Sequence, residues 1–296
     1  MYIAIENLGI SADELREKIY TLMPKWLEDE LDEFRYLSGG YSNVNVAFRR
    51  NNAASDRKNK LSKYYVFRLP RRPQPYVNRQ AEATWYEHMP ESVGPSPIVL
   101  DVPSGQMITP WLSGDLLVDV FHQRYCEDDL TSYLKALHGL LPGVAEQYHV
   151  PSLVPQFIET GWPVDMERSI FVESGANPLS RSNALVTCHN DLNPWNILVT
   201  SHGWKTLDWE FVGRNDPLFD LVALHQGLQL DEASLPRLAK VFLPSAAPER
   251  LNRAVAQFWL REWCWANYQI RHGNRRAEIV EQERDAKRQL GALPKF

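Results

Sequence analysis

Three side chains in one short stretch could do chemistry together: Asp191, Asn196 and Asp208. They lie in Val186-Thr187-Cys188-His189-Asn190-Asp191-Leu192-Asn193-Pro194-Trp195-Asn196-Ile197-Leu198-Val199, with Lys205-Thr206-Leu207-Asp208-Trp209-Glu210 soon after. Residues 197–199 and 205–207 read as strands joined by a turn containing Gly203. A hairpin that sets Val199 opposite Lys205 also sets Asn196 opposite Asp208. Directly opposed residues have Cβ atoms about 4.5–5.5 Å apart, so an amide oxygen and a carboxylate would converge on one point. Hard oxygen donors so arranged suit Mg²⁺, which completes its shell with waters and substrate phosphates. Asp191 precedes them in a loop that Pro194 is expected to keep from being helical. There it can accept the proton of an alcohol approaching a phosphate. Phosphoryl transfer asks little more of a protein than positioned phosphates, metal charge and a group that orients the nucleophile. Taken singly, an Asp or Asn in a turn more often caps the backbone; as a spaced set on one hairpin, the three point to chemistry.

The flanking elements must hold that stretch in place. Residues 11–30 have helical spacing: Ser11 can cap, Glu14 follows three residues later, and Leu15, Ile19, Leu22 and Met23 share a face. From Phe34 to Leu69 the pattern turns to strand. It holds a turn-rich loop, Ser38-Gly39-Gly40-Tyr41-Ser42-Asn43, strands at 45–48 and 64–69, and a polar exposed loop over 49–63. A helix is expected over 77–88, and strands at 98–102 and 107–110 can pair across Pro103-Ser104-Gly105. Thr109-Pro110-Trp111-Leu112-Ser113-Gly114 is the best linker. Helical patterns dominate from Asp115 to Ser174, with Leu130, Leu134, Leu137 and Leu141 as one stripe, and again over the last ninety residues or so. The expected order is a nucleotide-side lobe over 1–108 with a leading helix, a hinge over 109–114, and a catalytic and acceptor-binding lobe over 115–296.

The segment His189-x-Asp191-x-x-x-x-Asn196 followed by Asp208 resembles the catalytic loop and metal-binding Asp of kinase-like folds. Asp208-Trp209-Glu210 in place of Asp-Phe-Gly is similar to choline/ethanolamine kinases, thiamine kinases and aminoglycoside phosphotransferases. Residues 210–221 resemble bacterial choline kinases most closely. The resemblance spans roughly 34 to 270 and is strongest over 186–221. It implies an α+β, bilobal protein-kinase-like fold, with a small N-terminal antiparallel β lobe and a larger, mainly helical C-terminal lobe. It also implies ATP and Mg²⁺ as cofactors. Asp191 would be the catalytic base, and Asn196 and Asp208 the Mg²⁺ ligands. His189 would brace the loop, Glu210 would add a contact near the metal, and Asp220 would hold the loop from behind. On the nucleotide side, Ser38, Gly39, Gly40, Ser42 and Asn43 would cover the phosphates. Arg68 would face them, paired with Glu82 (Glu87 being the alternative), and Thr109, Pro110 and Trp111 would meet adenine.

The acceptor is the harder question. Among 10 Trp residues, several crowd a C-terminal stretch with Phe258, Trp259, Trp263, Trp265 and Tyr268. Trp259 and Trp263 are i and i+4 and share a helix face. Rings beside carboxylates hold a quaternary ammonium at about 0.5–2 kcal/mol per ring, and the resemblance implies such a use of Trp209, Glu210, Trp259, Trp263 and Tyr268. Core packing is the competing use of each ring. Choline leads, with ethanolamine and thiamine next. An aminoglycoside would need several carboxylates, but Glu278, Glu281 and Glu283 read as a solvated charged face. A catalytically dead kinase fold acting as a binding module is the alternative of another class. The short spacing from Glu210 to Phe219 leaves no room for the activation segment of a protein kinase.

Composition agrees with a small-molecule enzyme. The chain has 296 residues, 44% hydrophobic and 23% charged, with a formal net charge of -5. An acidic balance lacks the basic excess of a nucleic-acid binder. Cys126, Cys188 and Cys264 form no C-x-x-C pair and are expected to be small buried hydrophobes. The first residues lack the basic and apolar regions of a signal peptide, and no apolar run suits a membrane span. A cytoplasmic protein with a small-molecule alcohol partner, no nucleic acid and no membrane is expected; a homodimer is compatible with the sequence.

Overall fold

The computed structural model describes residues 2–3, 9–37, 40–51, 64–157 and 185–292. Its internal contacts divide the chain into two compact units. The first comprises Met1–Gln74, Arg79–Asp115 and Leu198–Leu207; the second comprises Pro75–Asn78, Leu116–Ile197 and Asp208–Phe296.

In the first unit, six antiparallel strands stand in the order β1-β2-β3-β4-β6-β5. They are β1 (Tyr2–Ile3), β2 (Glu30–Leu37), β3 (Asn43–Asn51), β4 (Tyr64–Pro70), β5 (Val99–Asp101) and β6 (Gln106–Pro110). Val44, Val46 and Phe48 alternate along β3 and so share one face. With Leu31 and Tyr36 of β2, Phe67 of β4 and Ile108 of β6 they form a core that helix α1 (Ala12–Leu22) completes through Leu15 and Ile19. Each such side chain contributes about 1.5–3 kcal/mol by leaving water. Ser11 caps α1, its hydroxyl accepting the Glu14 N–H at 3.1 Å. The helix is shorter than the expected 11–30: a 3-10 turn at Pro24–Trp26 and then β2 take over. The expected loop over 49–63 begins later, because β3 runs to Asn51; residues 52–63 lie outside the described ones.

Helix α2 (Arg79–His88) buries Glu82 and Trp85. Thr109 and Pro110, expected to open the linker, instead end β6, opposite Val66 and Tyr65. The stretch free of strand is Trp111–Gly114, after which β7 (Asp115–Leu116) pairs with β9 (Ile197–Thr200), and β9 with β10 (Gly203–Thr206). Residues 198–207, placed in the C-terminal lobe by the sequence, group with the first unit. The Thr206 N–H donates to Val93 O at 2.7 Å and Lys205 Nζ to Ser92 O at 2.6 Å. Gly94 permits this approach, since a Cβ there would lie 2.1 Å from Thr206 O.

The second unit is helical around one short antiparallel pair, β8 (Val186–Cys188) with β11 (Gly213–Asn215). That pair is absent from the sequence reading, being only three residues per strand. The helices are α3 (Leu117–Arg124), α4 (Glu127–Leu140), α5 (Val150–Phe157), α6 (Leu218–Gly227), α7 (Leu235–Phe242), α8 (Pro248–Arg271) and α9 (Ala277–Ala292). Leu130, Leu134 and Leu137 of α4 are buried as the stripe requires. Helix α6 is buried all round from Leu218 to His225, as an element apolar on every face must be. The helical expectation beyond residue 157, as far as Ser174, lies outside the described residues. Cys188 and Cys264 are buried, but Cys126 is exposed just before α4. It occupies the N-cap position of that helix, its backbone N–H donating to the Asp129 carboxylate at 2.8 Å. Among the described residues no helix is long and apolar enough to cross a membrane.

Candidate active site

The loop after β8 is held from behind by Asp220, fully buried on α6. Its Oδ1 accepts the Asn190 N–H at 2.8 Å; its Oδ2 accepts the His189 N–H at 3.0 Å and lies 2.9 Å from His138 Nε2. Burial raises this carboxyl, but the His138 contact and the charges and N–H around it prevail and hold it below the usual carboxylate value. Asn190 takes a left-handed backbone, φ 64°, which Asn tolerates better than most residues. Its Nδ2 donates to the carbonyls of Cys188, Phe211 and Gly213, and its Oδ1 accepts from Asn215. The chain turn is thereby tied to both strands of the β8–β11 pair. His138, Cys188 and Asp220 also converge. Asp220 already uses both oxygens there, and burial pushes the Cys188 thiol well up, so this knot braces the loop.

Asp191 projects from the braced turn. Its N–H lies 3.2 Å from His189 Nδ1, and the His189 ring packs on Trp209 at 4.5 Å. Oδ1 accepts from Asn193 Nδ2 at 2.8 Å and from Arg261 Nη1 at 2.8 Å. Oδ2 accepts from Asn196 Nδ2 at 3.2 Å. Pro194, expected to keep this loop from being helical, instead starts a single 3-10 turn at Pro194–Asn196. The reason is that proline's missing N–H and fixed φ suit a first helical position. Asn196 therefore stands in that turn, and Asp208 lies beyond the end of β10 with φ 58°. Neither is a rung of the β9–β10 ladder, so the opposed-pair argument for them fails on geometry. What orients Asn196 is Asp191: the amide nitrogen donates to Asp191 O at 2.9 Å as well as to Oδ2. Its oxygen is left as the accepting end. A hard carboxamide oxygen beside a carboxylate-bearing loop is a donor of the kind Mg²⁺ takes, so the residues fit that ion.

The expected ring cage is arranged differently. Trp209 is buried against His189, and Trp263 is buried with its Nε1 donating to Glu283 of α9 at 3.0 Å. Glu283, expected to be solvated, is thus engaged. Trp259 is half-buried against Phe258 at 5.0 Å. Tyr268 joins another group: Tyr76 stacks on Phe157 at 4.4 Å and lies parallel to Phe211 at 6.1 Å, with Tyr268 edge-on to Tyr76 at 5.2 Å. Glu210 is buried. Arg261 adjoins this group, 5.9 Å from the Phe211 ring. Its charge was missed in the sequence, where Arg261-Glu262 interrupts an aromatic run; a charged pair in a buried stripe must have partners, and that was the available signal. Burial lowers the tendency of Arg261 to stay charged, yet Glu262 and Asp191 prevail and hold the guanidinium protonated.

In the first unit, Arg68 and Glu82 form the expected pair at 2.6 Å, both buried, while Glu87 is exposed. Arg79 also reaches Glu82 at 2.6 Å, and Arg68 Nε donates to Gly105 O at 3.3 Å. Burial raises the Glu82 carboxyl, but the two arginines prevail and it lies below its usual value. Gly40 is required where it stands, since a Cβ would fall 2.3 Å from Asn43 O. Ser42 O accepts the Arg71 N–H at 3.0 Å, and Asn43 is buried at the start of β3. Ser38 and Gly39 lie outside the described residues. The Trp111 N–H donates to Tyr64 O at 3.0 Å.

Residues 33–270 match the model of the phosphotransferase enzyme family. The chain belongs to that family. Over 167 residues, 52% of this chain, it is 26% identical to Protein LicA of Haemophilus influenzae, and that match spans 60% of the relative's length. A choline/ethanolamine kinase family protein from Mesorhizobium loti superposes with a TM-score of 0.66 at 21% identity, covering 96% of this chain and 95% of that one. The structure of LicA in complex with AMP superposes with a TM-score of 0.72 at 18% identity, covering 95% and 98%. These likenesses establish the protein-kinase-like fold, with its antiparallel sheet followed by a mainly helical part. The matched span includes Asp191, Asn196 and Asp208, and the loop that carries Asp191 is braced by Asp220 from within the same unit.

Proposed function

We propose that this chain is an ATP-dependent kinase that phosphorylates the hydroxyl of a cationic amino alcohol, choline or ethanolamine. The observation that carries the reading is Asp191: a half-buried carboxylate on a loop fixed by Asp220 and Asn190, with the Asn196 amide nitrogen donating to it. Asp191 orients the acceptor hydroxyl and takes its proton as the oxygen attacks the γ-phosphorus and the bond to ADP breaks. Asn196 and Asp208 would hold Mg²⁺, whose charge, when bound, offsets that of the phosphates. In the first unit, Arg68 kept in place by Glu82 is the cation we assign to the nucleotide phosphates. The AMP complex of LicA and the choline/ethanolamine kinase family name of the Mesorhizobium loti protein support the nucleotide and the acceptor class. So do the rings of Tyr76, Phe157, Phe211 and Tyr268, gathered in the unit that carries Asp191 and suited to an ammonium group. We place its work in the cytoplasm, where ATP is abundant.

The test is ADP release with ATP and Mg²⁺ across choline, ethanolamine, thiamine and an aminoglycoside. Turnover is expected with choline or ethanolamine, and Asp191→Asn should lower kcat by about 10²–10⁴-fold with MgADP binding kept. Turnover confined to thiamine or the aminoglycoside would overturn the acceptor. Failure to bind MgATP would overturn the kinase reading and leave a binding module.

A further inference from the structure

The carboxylate of Asp191 is not symmetric in its surroundings. Oδ1 receives two donors at 2.8 Å, Asn193 Nδ2 and Arg261 Nη1, which engage both of its lone pairs. Oδ2 receives one longer bond, 3.2 Å, from Asn196. One lone pair of Oδ2 is therefore open to a hydroxyl, and which oxygen is open depends on the group that saturates the other. Asn193 is a near neighbour of Asp191 on the same loop. Arg261 comes from seventy residues away on α8, the helix that also carries Trp259, Trp263 and Tyr268.

Arg261 is built for a fixed position. Its side chain is 5% exposed, Nη2 lies 2.7 Å from a Glu262 carboxylate oxygen, and the Phe211 and Phe258 rings each stand 5.9 Å away. Glu262 in turn accepts from Gln282 of α9. Among the described residues, Arg261 Nε and Nη2 and Glu262 Oε1 have no hydrogen-bond partner, so the approach of Nη2 to Glu262 is a charge contact.

We propose that Arg261 is a positioning residue for phosphoryl transfer: it pins Oδ1 of Asp191 so that Oδ2 meets the acceptor hydroxyl. The inference rests on the kinase reading above. It makes helix α8 responsible for the geometry of the base as well as for rings near the acceptor. Guanidinium is needed because Nη1 donates to Asp191 while a separate nitrogen, Nη2, keeps the charge contact with Glu262; the single ammonium of lysine cannot hold both positions.

The experiment compares Arg261→Lys and Arg261→Met with the parent and with Asp191→Asn, by ADP release from MgATP with choline, with ethanolamine and with water alone as acceptor. Each variant is checked for a cooperative thermal transition. Expected are kcat losses of about 10-fold for lysine and about 100-fold for methionine, the scale of a misplaced catalytic group, with the KM for ATP within twofold of the parent. A structural role alone would not split kcat from KM or order the two variants by retained charge. A folded variant with parental kcat, or a loss wholly in the acceptor KM, overturns the inference. If Arg261→Met does not fold, Arg261→Lys decides by the same criteria. Should Asp191→Asn itself keep parental turnover, the kinase reading falls instead.

Discussion

Asp220→Asn separates the bracing of the catalytic loop from its chemistry. The carboxylate, fully buried, accepts the Asn190 and His189 N–H groups on different oxygens and faces His138 Nε2 at 2.9 Å. Asparagine offers one oxygen where the native residue has two. With that oxygen serving His189 and His138, the new NH₂ group points at the Asn190 N–H. Two buried donors are then orphaned at about 1–3 kcal/mol each, and the surviving bonds lose their charge assistance, about half their strength. Removal of one partner from a buried charged network costs about 3–5 kcal/mol, against a total of about 5–15 kcal/mol for a native domain. Urea unfolding followed by far-UV circular dichroism should show a loss of that size, with kcat lowered because the Asp191 loop shifts. The acid limb should change as well. Because the folded value lies below the usual 3.8, the unfolded chain binds this proton more readily. Asp220 thus stabilises the fold fully above about pH 4 and loses that contribution as pH falls through the folded value. The variant should flatten that slope. A destabilisation below about 1 kcal/mol with an unchanged acid limb would refute the reasoning.

Two further perturbations address the first unit. Glu82→Gln removes the counter-charge of Arg68 and Arg79 inside the fold and should cost about 3–5 kcal/mol in urea unfolding; a loss under about 1 kcal/mol would show the arginines finding other partners. Gly94→Ala places a methyl 2.1 Å from Thr206 O and should cost about 1–3 kcal/mol by overpacking. An unchanged melting temperature would mean that β10 does not rest on the 93–94 backbone.

Local signals are legible in a sequence when a residue's partner is nearby. Ser11 caps the helix that starts beside it, and the Leu130, Leu134 and Leu137 stripe follows from helix periodicity alone. The Arg68–Glu82 pair joins a strand to the next helix and was within reach for the same reason. Where short-range stereochemistry had two solutions, the reading erred. Proline excludes a helix interior but favours a first turn, so Pro194 opened a 3-10 turn, and Asn196 left the ladder on which its role had been argued.

What the sequence by itself determined was the phosphotransferase class, through a motif whose candidate set Asp191, Asn196 and Asp208 lies close along the chain. Tertiary structure alone decided that α1 completes the core of the first unit, because an amphipathic helix states that it has a buried face without naming what covers it. It also decided that Trp263 spends its N–H on Glu283 and that Arg261 reaches Asp191. A side chain's hydrogen-bond partner on a distant helix is fixed by how the helices pack, and the packing of α8 against the catalytic loop has no signature in any local window.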